Sequence, residues 1–302
     1  MTLRLRERVF QLLQEHPEKR FRAREIAEWV HSTFPDNTAQ KIEHSTFLTD
    51  ESSLLNQLVA EIGSNRPNWQ KKYENFRTTE GRPREFYWTE KSETEEVEEA
   101  EANERGGHRG HIQKQGLLEK DLYPKLIEFL QIEFEAKGFR VEESKASNRR
   151  GKGGNKWLYP DVVAVEALTK NLNAEVIEAL KHSGEQRARL WSFEVKKLIN
   201  RSNVREAYFQ AVSNSSWSNF GYLVARRIEG ADTIKEIQML YSVHGIGLIE
   251  LDQDSPSESV IRIPARERPN VEWIMCSRLA DENSDFAQFI KRVRKFFQTD
   301  DL

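Results

Sequence analysis

The sequence predicts an α/β domain with a mixed sheet flanked by helices, preceded by a small α+β domain. Apolar residues recur at helical spacing in the first 62 residues, whereas short apolar runs alternate with helical stretches beyond residue 117. A segment rich in glutamate and then in glycine, residues 90–116, separates the two regions. A chain of 302 residues is long enough to build two hydrophobic cores.

The composition describes a folded chain without a disulfide framework. The formal net charge of -3 gives no overall attraction to nucleic acid, so any affinity for phosphate must come from local basic segments. The single cysteine, Cys276, excludes an intrachain disulfide and zinc sites of the Cys₄ or Cys₂His₂ type. No apolar run approaches the roughly 20 residues that span a bilayer. We therefore expect a reducing, cytoplasmic location and no membrane partner.

Three helices are predicted at the start of the chain. Apolar stripes at helical spacing cover residues 3–16 and 23–34, and Pro35 is expected to stop the second helix. The third helix begins at a capping sequence before residue 51 and continues to residue 62. Gly63 can end it.

A β-hairpin is predicted next. Residues 73–78 and 84–89 are rich in aromatic and β-branched side chains, and a turn-forming run separates them. Three helices followed by a two-stranded wing make a winged helix-turn-helix, whose third helix usually lies in the DNA major groove. Residues 1–89 resemble the HARE-type winged-helix domain. That resemblance implies contact with DNA, modified DNA included, and fusion to a restriction-like enzyme.

Basic residues are concentrated at the end of the third helix and in the wing, with aromatic residues between them. Such a surface suits contact with phosphates, and we interpret it as DNA-binding. A solvated basic face, or a surface for docking a protein, is the alternative. The predicted nucleic-acid-binding residues here are Arg66, Lys71, Lys72, Arg77, Arg82 and Arg84.

Residues 90–116 are interpreted as an acidic flexible linker. The segment has few apolar residues to bury, and its like charges repel one another, so ordering it would not be offset by burial. A charged helix is the alternative. The second domain then covers residues 117–302.

The second domain is predicted to hold a mixed, partly parallel sheet, because helical stretches separate its apolar runs. A charged helical insertion is expected at residues 168–189, between two neighbouring strands. The predicted strands cover residues 157–165, 190–195, 220–225 and 245–251. The predicted helices cover residues 117–134, 202–212 and 285–297.

Two of these strands carry acids in apolar surroundings. Asp161 lies in the first, and Glu194 and Lys196 lie in the second on the same face, because side chains alternate along a strand. Carboxylate oxygens are the ligands that Mg²⁺ prefers, and phosphodiester hydrolysis needs such a cation to neutralise charge and activate water. We expect Asp161, Glu194 and the backbone carbonyl of Val195 to hold Mg²⁺, or Mn²⁺ as a substitute. Lys196 would orient or deprotonate the attacking water, or stabilise developing negative charge. A structural salt bridge is the alternative.

Pro160-Asp161 and Glu194-Val195-Lys196 resemble the two signature elements of the PD-(D/E)xK superfamily of restriction-type nucleases, over roughly residues 117–226. The resemblance implies a restriction-endonuclease-like core. It also implies a further catalytic, metal-binding acid on a preceding helix, which we place at Glu119. Pro124 disfavours helix just before it, so Glu119 is expected on a separate turn. A glutamine that orients substrate or Lys196 is placed at Gln210. The long interval between Asp161 and Glu194 departs from the family pattern.

A glycine-rich basic loop lies between the first core helix and Asp161. It is expected to follow the phosphate backbone beside the site, and a merely solvated loop is the alternative. No phosphate-binding Gly-x-x-x-x-Gly-Lys-Ser/Thr motif is present, so no nucleotide cofactor is expected. The basic residues assigned to nucleic-acid binding in this loop are Lys145, Arg149, Arg150, Lys152 and Lys156.

The sequence therefore predicts a metal-dependent DNA endonuclease that acts on double-stranded DNA, with a restriction or phage-defence role that the resemblance alone suggests. A homodimer is expected if both strands are cut, because one metal centre handles one strand at a time. One alternative is a catalytically silent DNA-binding regulator or assembly component. Another is a repair nuclease or an RNA nuclease that uses the same metal chemistry.

Overall fold

The computed structural model describes residues 3–43, 50–80, 84–102, 118–147 and 155–301. The chain divides into two compact units, residues 1–95 with 229–231 and residues 96–228 with 232–302. The boundary after residue 95 falls inside the acidic segment predicted as a linker. Within the described ranges, none of the helices combines the length and the apolar character needed to cross a membrane.

The described residues of the N-terminal unit form four helices and a three-stranded antiparallel sheet with strand order β1-β3-β2. Its core is built from buried side chains of the first, second and fourth helices around Phe10 and Phe76. The helices are α1 (Leu5–Glu15), α2 (Ala23–Thr33), α3 (Pro35–Glu43) and α4 (Glu51–Lys72). The strands are β1 (Phe21–Arg22), β2 (Phe76–Thr78) and β3 (Glu85–Trp88). The predicted hairpin is present, with shorter strands than expected.

The second helix ends before Pro35 as predicted, but the helices of this unit differ from the prediction in two other respects. Pro35 ends α2 but also starts α3, because a proline at the first helical position gives up an N–H that has no partner there. Gly63 does not end the third predicted helix, which continues through Pro67 to Lys72. Trp69, buried against Phe10, explains the extension, because packing outweighs the cost of about 1 kcal/mol for a helical glycine.

The acidic segment begins with a helix, α5 (Glu93–Ala102), where a flexible linker was expected. The Ser92 hydroxyl accepts the Glu95 N–H at 3.2 Å, and the Glu95 carboxylate accepts the Ser92 N–H at 2.7 Å. This capping box satisfies amides that the start of a helix leaves without partners. The charged-helix alternative therefore describes these ten residues. Residues 103–117 lie outside the described part of the chain.

The larger sheet has six strands in consecutive order, β4 to β9. The strands β6, β7 and β8 are parallel neighbours, and the other neighbouring pairs are antiparallel, so the sheet is mixed as predicted. The strands are β4 (Lys137–Arg140), β5 (Val162–Ala167), β6 (Ala188–Ile199), β7 (Phe220–Ile228), β8 (Gly247–Glu250) and β9 (Val260–Ile263). The helices are α6 (Leu122–Glu133), α7 (Ala174–Ser183), α8 (Val204–Asn214), α9 (Ala231–His244), α10 (Trp273–Glu282) and α11 (Ser284–Thr299).

Helices cover both faces of this sheet. On β7, Tyr222 and Val224 pack in the cluster that contains the buried face of α6, whereas Leu223 and Ala225 pack in the cluster that contains α8 and Ile237 of α9. Alternating side chains on a strand buried on both faces produce this division. The helices α10 and α11 pack beside α8 and α9 on their face, over residues of β5 and β6.

The connections of the sheet agree with the sequence in several places. The helix α8 joins the parallel strands β6 and β7, as the predicted crossover helix requires, and α7 lies in the expected insertion between β5 and β6. Several strand boundaries differ from the prediction: β6 and β7 extend past their predicted ends to Ile199 and Ile228, and β8 is shorter than predicted. The strand predicted from residue 157 begins at Val162, because residues 155–158 form a turn and Pro160 has no N–H to donate to a neighbouring strand.

Candidate active site

Asp161 is fixed against the backbone of β6. It directly precedes β5, and the pairing of Val162 with Phe193 brings it beside Glu194. Its N–H donates to the carbonyl of Phe193 at 3.1 Å, and its Oδ2 accepts the N–H of Val195 at 2.8 Å. The carboxylate is therefore held in place by the neighbouring strand.

Glu194 and Lys196 lie on the same face of β6, as their spacing predicts. Lys196 Nζ donates to Glu194 Oε1 at 2.8 Å, and the Nδ2 of Asn214, the last residue of α8, donates to Glu194 Oε2 at 2.8 Å. The carboxylate is buried, with Glu194 only 2% exposed. A structural ion pair would need only Glu194 and Lys196, but here a second carboxylate, that of the partly buried Asp161, lies beside them.

Glu119 is linked to Asp161 through the side chain of Tyr123. It lies on a 3₁₀ turn, Glu119–Asp121, that directly precedes α6, so the separate turn is present. Pro124 does not keep the residue before it out of a helix, because α6 already begins at Leu122 and a proline is tolerated in the first turn of a helix. The Tyr123 hydroxyl donates to Glu119 Oε1 at 2.8 Å and lies 3.3 Å from Asp161 Oδ1. Tyr123 was not among the residues predicted from the sequence, although its position four residues after Glu119 at a helix start is a signal for contact.

The group carries more negative than positive charge, and this changes its proton affinities. Burial and the Glu194 carboxylate raise the pKa of Asp161 to about 7. Burial also raises the pKa of Glu194, although Lys196 and Asn214 oppose the shift. Burial by itself would lower the pKa of Lys196, but the carboxylates of Glu194, Glu119 and Asp161 raise it above its usual range. Lys196 is therefore charged at neutral pH, which favours orienting water or stabilising charge over abstracting a proton.

The donor set suits a small, hard cation. Among the described residues, no group of three or more His, Cys, Asp or Glu side chains is arranged to hold a metal by itself. Mg²⁺ does not need such a cage, because it is usually bound by one or two carboxylates and keeps several waters. Asp161 and Glu194 supply two carboxylates with an excess of negative charge over Lys196. Their chemistry fits Mg²⁺ or Mn²⁺.

One face of α8 holds the segment at Lys156 and Trp157. Gln210 Nε2 donates to the carbonyl of Lys156 at 3.0 Å, and Asn214 Nδ2 donates to the same oxygen at 3.2 Å. The Ser213 hydroxyl donates to the carbonyl of Trp157 at 2.7 Å. Gln210 thus contacts the loop backbone, whereas the ammonium of Lys196 contacts Glu194. The sequence argument missed Asn214, whose spacing of four from Gln210 on one helix would have indicated a shared face.

Most of the predicted basic residues of the wing that the structure describes are held by neighbours in their own unit. Arg66 and Arg84 both pair with Glu80, at 3.1 and 3.2 Å. Arg77 donates to the carbonyl of Lys91 at 3.2 Å. Lys71 and Lys72, at the end of α4, are exposed. Arg82 lies outside the described residues.

The predicted basic loop is described only at its ends. Lys145 pairs with Asp285 at 3.0 Å, and Lys156 pairs with Glu206 of α8. Both cations are partly exposed, so either pair could exchange its acid for a phosphate at little cost. Arg149, Arg150 and Lys152 lie outside the described part of the chain.

Comparisons of the chain with models of protein families, with curated proteins and with solved structures found no match.

Proposed function

We propose that this chain is a divalent-metal-dependent nuclease that hydrolyses phosphodiester bonds in double-stranded DNA. The observation that carries the proposal is the placement of Asp161 against β6 beside Glu194, with Lys196 bonded to Glu194 on the same face. Two carboxylates and an ammonium on neighbouring strands match the chemistry of the PD-(D/E)xK superfamily, and we propose a restriction-endonuclease-like core on that basis.

The roles of the residues follow from their geometry. Asp161 and Glu194, with the backbone carbonyl of Val195, would hold Mg²⁺ or Mn²⁺. When bound, the cation neutralises charge on the reacting phosphate and lowers the pKa of a bound water. Lys196 remains protonated and orients the attacking water, or stabilises charge on the phosphate oxygens. Glu119 acts beside Asp161 through Tyr123, and Gln210 supports the loop next to the site.

The N-terminal unit would bind DNA as a winged helix-turn-helix. The exposed Lys71 and Lys72 are its best candidates for phosphate contact, since Arg66 and Arg84 already share Glu80. A role in restriction or phage defence follows from the resemblance described above and is part of the proposal.

Cleavage of supercoiled plasmid and linear duplex DNA with Mg²⁺ or Mn²⁺ tests the function. We expect the wild type to cut, and Asp161→Asn, Glu194→Gln and Lys196→Met each to lose about 10²-fold or more in rate. Glu166→Gln is the matched control, because Glu166 lies on β5 and pairs with Arg189, outside the group around Asp161. Equal nicking by all five proteins would contradict the proposal and indicate a contaminating nuclease.

The same assay separates the alternatives when its substrates are varied. Cleavage of RNA or single-stranded DNA, without cleavage of duplex DNA, would favour a repair or RNA nuclease. Binding of DNA without cleavage of any substrate would favour a silent DNA-binding component. Digestion of modified and unmodified genomic DNA side by side then shows whether base modification controls the reaction.

A further inference from the structure

We propose that Asn214 is a positioning residue that couples the Glu194 carboxylate to the Lys156–Trp157 segment. The proposal rests on the nuclease function proposed above. Asn214 occupies the last position of α8, and its side chain contacts both groups.

The amide of Asn214 divides its two hydrogens between these partners. One contact joins Nδ2 to Glu194 Oε2 at 2.8 Å, and the other joins Nδ2 to the carbonyl oxygen of Lys156 at 3.2 Å. An asparagine amide has two donor hydrogens, so both are used. Asn214 is 1% exposed, and the bond to Glu194 is charge-assisted, hence stronger than a bond between neutral groups.

The backbone of Asn214 is held independently of its side chain. Its carbonyl accepts the Ser192 hydroxyl at 3.1 Å and the Trp217 Nε1–H at 2.9 Å. These bonds satisfy a carbonyl that the end of α8 leaves without an intrahelical partner. Truncating the side chain therefore removes the two amide contacts while the helix end stays anchored.

The segment that Asn214 holds reaches the protein surface beside the site. Trp157 is 45% exposed, although its own carbonyl is held by Ser213. Gln210 and Ser213 anchor the same segment, but the contact with Glu194 comes from Asn214. A ligand that displaces the Lys156–Trp157 backbone would thus change the hydrogen bonding of Glu194 through this one amide.

Loss of the Asn214 amide should lower the affinity of the site for its cation. Lys196 would still hold Glu194 Oε1, but Oε2 would lose its donor, and the carboxylate would be free to rotate away from its binding geometry. Groups that hydrogen-bond to metal-binding carboxylates typically contribute 10- to 100-fold in metal affinity, so a loss on the order of 10- to 100-fold is expected.

The test measures Mn²⁺ binding to the full chain from the electron paramagnetic resonance signal of free Mn²⁺, which needs no turnover. Asn214→Ala is expected to raise the Kd for Mn²⁺ by about 10- to 100-fold and to raise the Mn²⁺ concentration for half-maximal cleavage equally, with the KM for DNA little changed. Ser213→Ala is the matched control, since it loosens the same segment without touching Glu194. Its Kd should remain close to that of the wild type, because both hydrogen bonds to Glu194 are unchanged.

Hydrogen exchange measured on peptides covering residues 155–159 gives a second readout. Both variants should exchange faster there, and only Asn214→Ala should also change Mn²⁺ affinity. If Asn214→Ala does not fold, Asn214→Leu, which is similar in size to asparagine and has no donor, takes its place. A folded Asn214 variant that binds Mn²⁺ like the wild type overturns the proposal. A wild type that binds Mn²⁺ but cuts no nucleic acid overturns the proposed function, while the Kd of Asn214→Ala still decides the role of Asn214.

Discussion

Asp161 is subject to opposing influences on its protonation. The N–H of Val195 donates to its carboxylate and favours the ionised form, whereas burial and the Glu194 carboxylate favour the neutral acid. Burial and the Glu194 carboxylate have the larger effect, and the pKa of Asp161 rises from 3.8 to about 7. Holding Asp161 ionised at neutral pH therefore costs stability in the absence of a cation, as is common where a site is arranged for function.

This balance predicts that Asp161→Asn stabilises the metal-free protein while removing activity. Because the pKa of Asp161 is raised in the folded state, its contribution to stability is fully present below pH 3.8 and is lost as the pH rises through about 7. The amide of asparagine does not ionise. In EDTA, the Tm difference between Asp161→Asn and the wild type should therefore grow in favour of the variant between pH 5 and pH 8.

The control for this measurement is Glu128→Gln, which replaces an exposed carboxylate of α6 outside the group. A Tm difference for Asp161→Asn that does not change between pH 5 and pH 8 would show that folding does not raise the pKa of Asp161. Added Mn²⁺ should stabilise the wild type and not Asp161→Asn, because ligand binding to the folded state stabilises it by mass action.

At the scale of elements, two glycines have opposite surroundings. Gly63 lies inside α4, and a Cβ added there would meet no atom within 4 Å. Gly221 lies in β7, where a Cβ would collide with the side chains of Ser215 and Ile246. The first glycine is an entropic cost to its helix, and the second is required by close packing.

We expect Gly63→Ala to raise the free energy of unfolding by about 0.5–1 kcal/mol, the usual difference between alanine and glycine in a helix. Gly221→Ala should lower it by about 1–3 kcal/mol through overpacking. Urea denaturation followed by circular dichroism measures both. If Gly63→Ala instead lowers the free energy of unfolding, α4 does not continue through residue 63. The helix would then end at Gly63, as the sequence predicts.

The elements that the sequence predicts well are those governed by local rules. Alternation along a strand was enough to place Glu194 and Lys196 on one face. Glu119 does lie on a separate turn, but the reason predicted for it is wrong, because α6 includes Tyr123, the residue just before Pro124. The contacts that it did not predict depend on how distant segments pack. Asn214 reaches Glu194 only because α8 packs on the sheet with its end over β6, and no local pattern gives that distance.

At the scale of the whole molecule, a formal net charge of -3 conceals an uneven distribution of charge. Acids dominate the group around Asp161 and the helix α5, whereas exposed lysines end α4. The proposed function assigns a different task to each of these charged regions. The carboxylates of the larger unit would hold a cation, and the basic end of α4 in the N-terminal unit would contact the phosphate backbone.

This division predicts that replacing Lys71 and Lys72 together by alanine weakens DNA binding without changing the chemical step. Each lysine that contacts a phosphate releases about 0.9 of a counterion, so the slope of log K against log salt should fall by about two in the double variant. Affinity for duplexes of different sequence should fall uniformly, because phosphate contacts carry no sequence information. The KM for DNA should rise while kcat remains, since the residues around Asp161 are unchanged.

Lys41→Ala is the matched control for that variant, because Lys41 belongs to the same unit but its ammonium is bonded to Glu61 at 2.7 Å. Fluorescence anisotropy of a labelled duplex between 50 and 200 mM salt, a range over which phosphate contacts dominate affinity, measures the slope. An unchanged slope in the double variant would remove the end of α4 from the DNA contact. A fall in kcat at unchanged affinity would instead tie these lysines to catalysis and contradict the division of work between the two units.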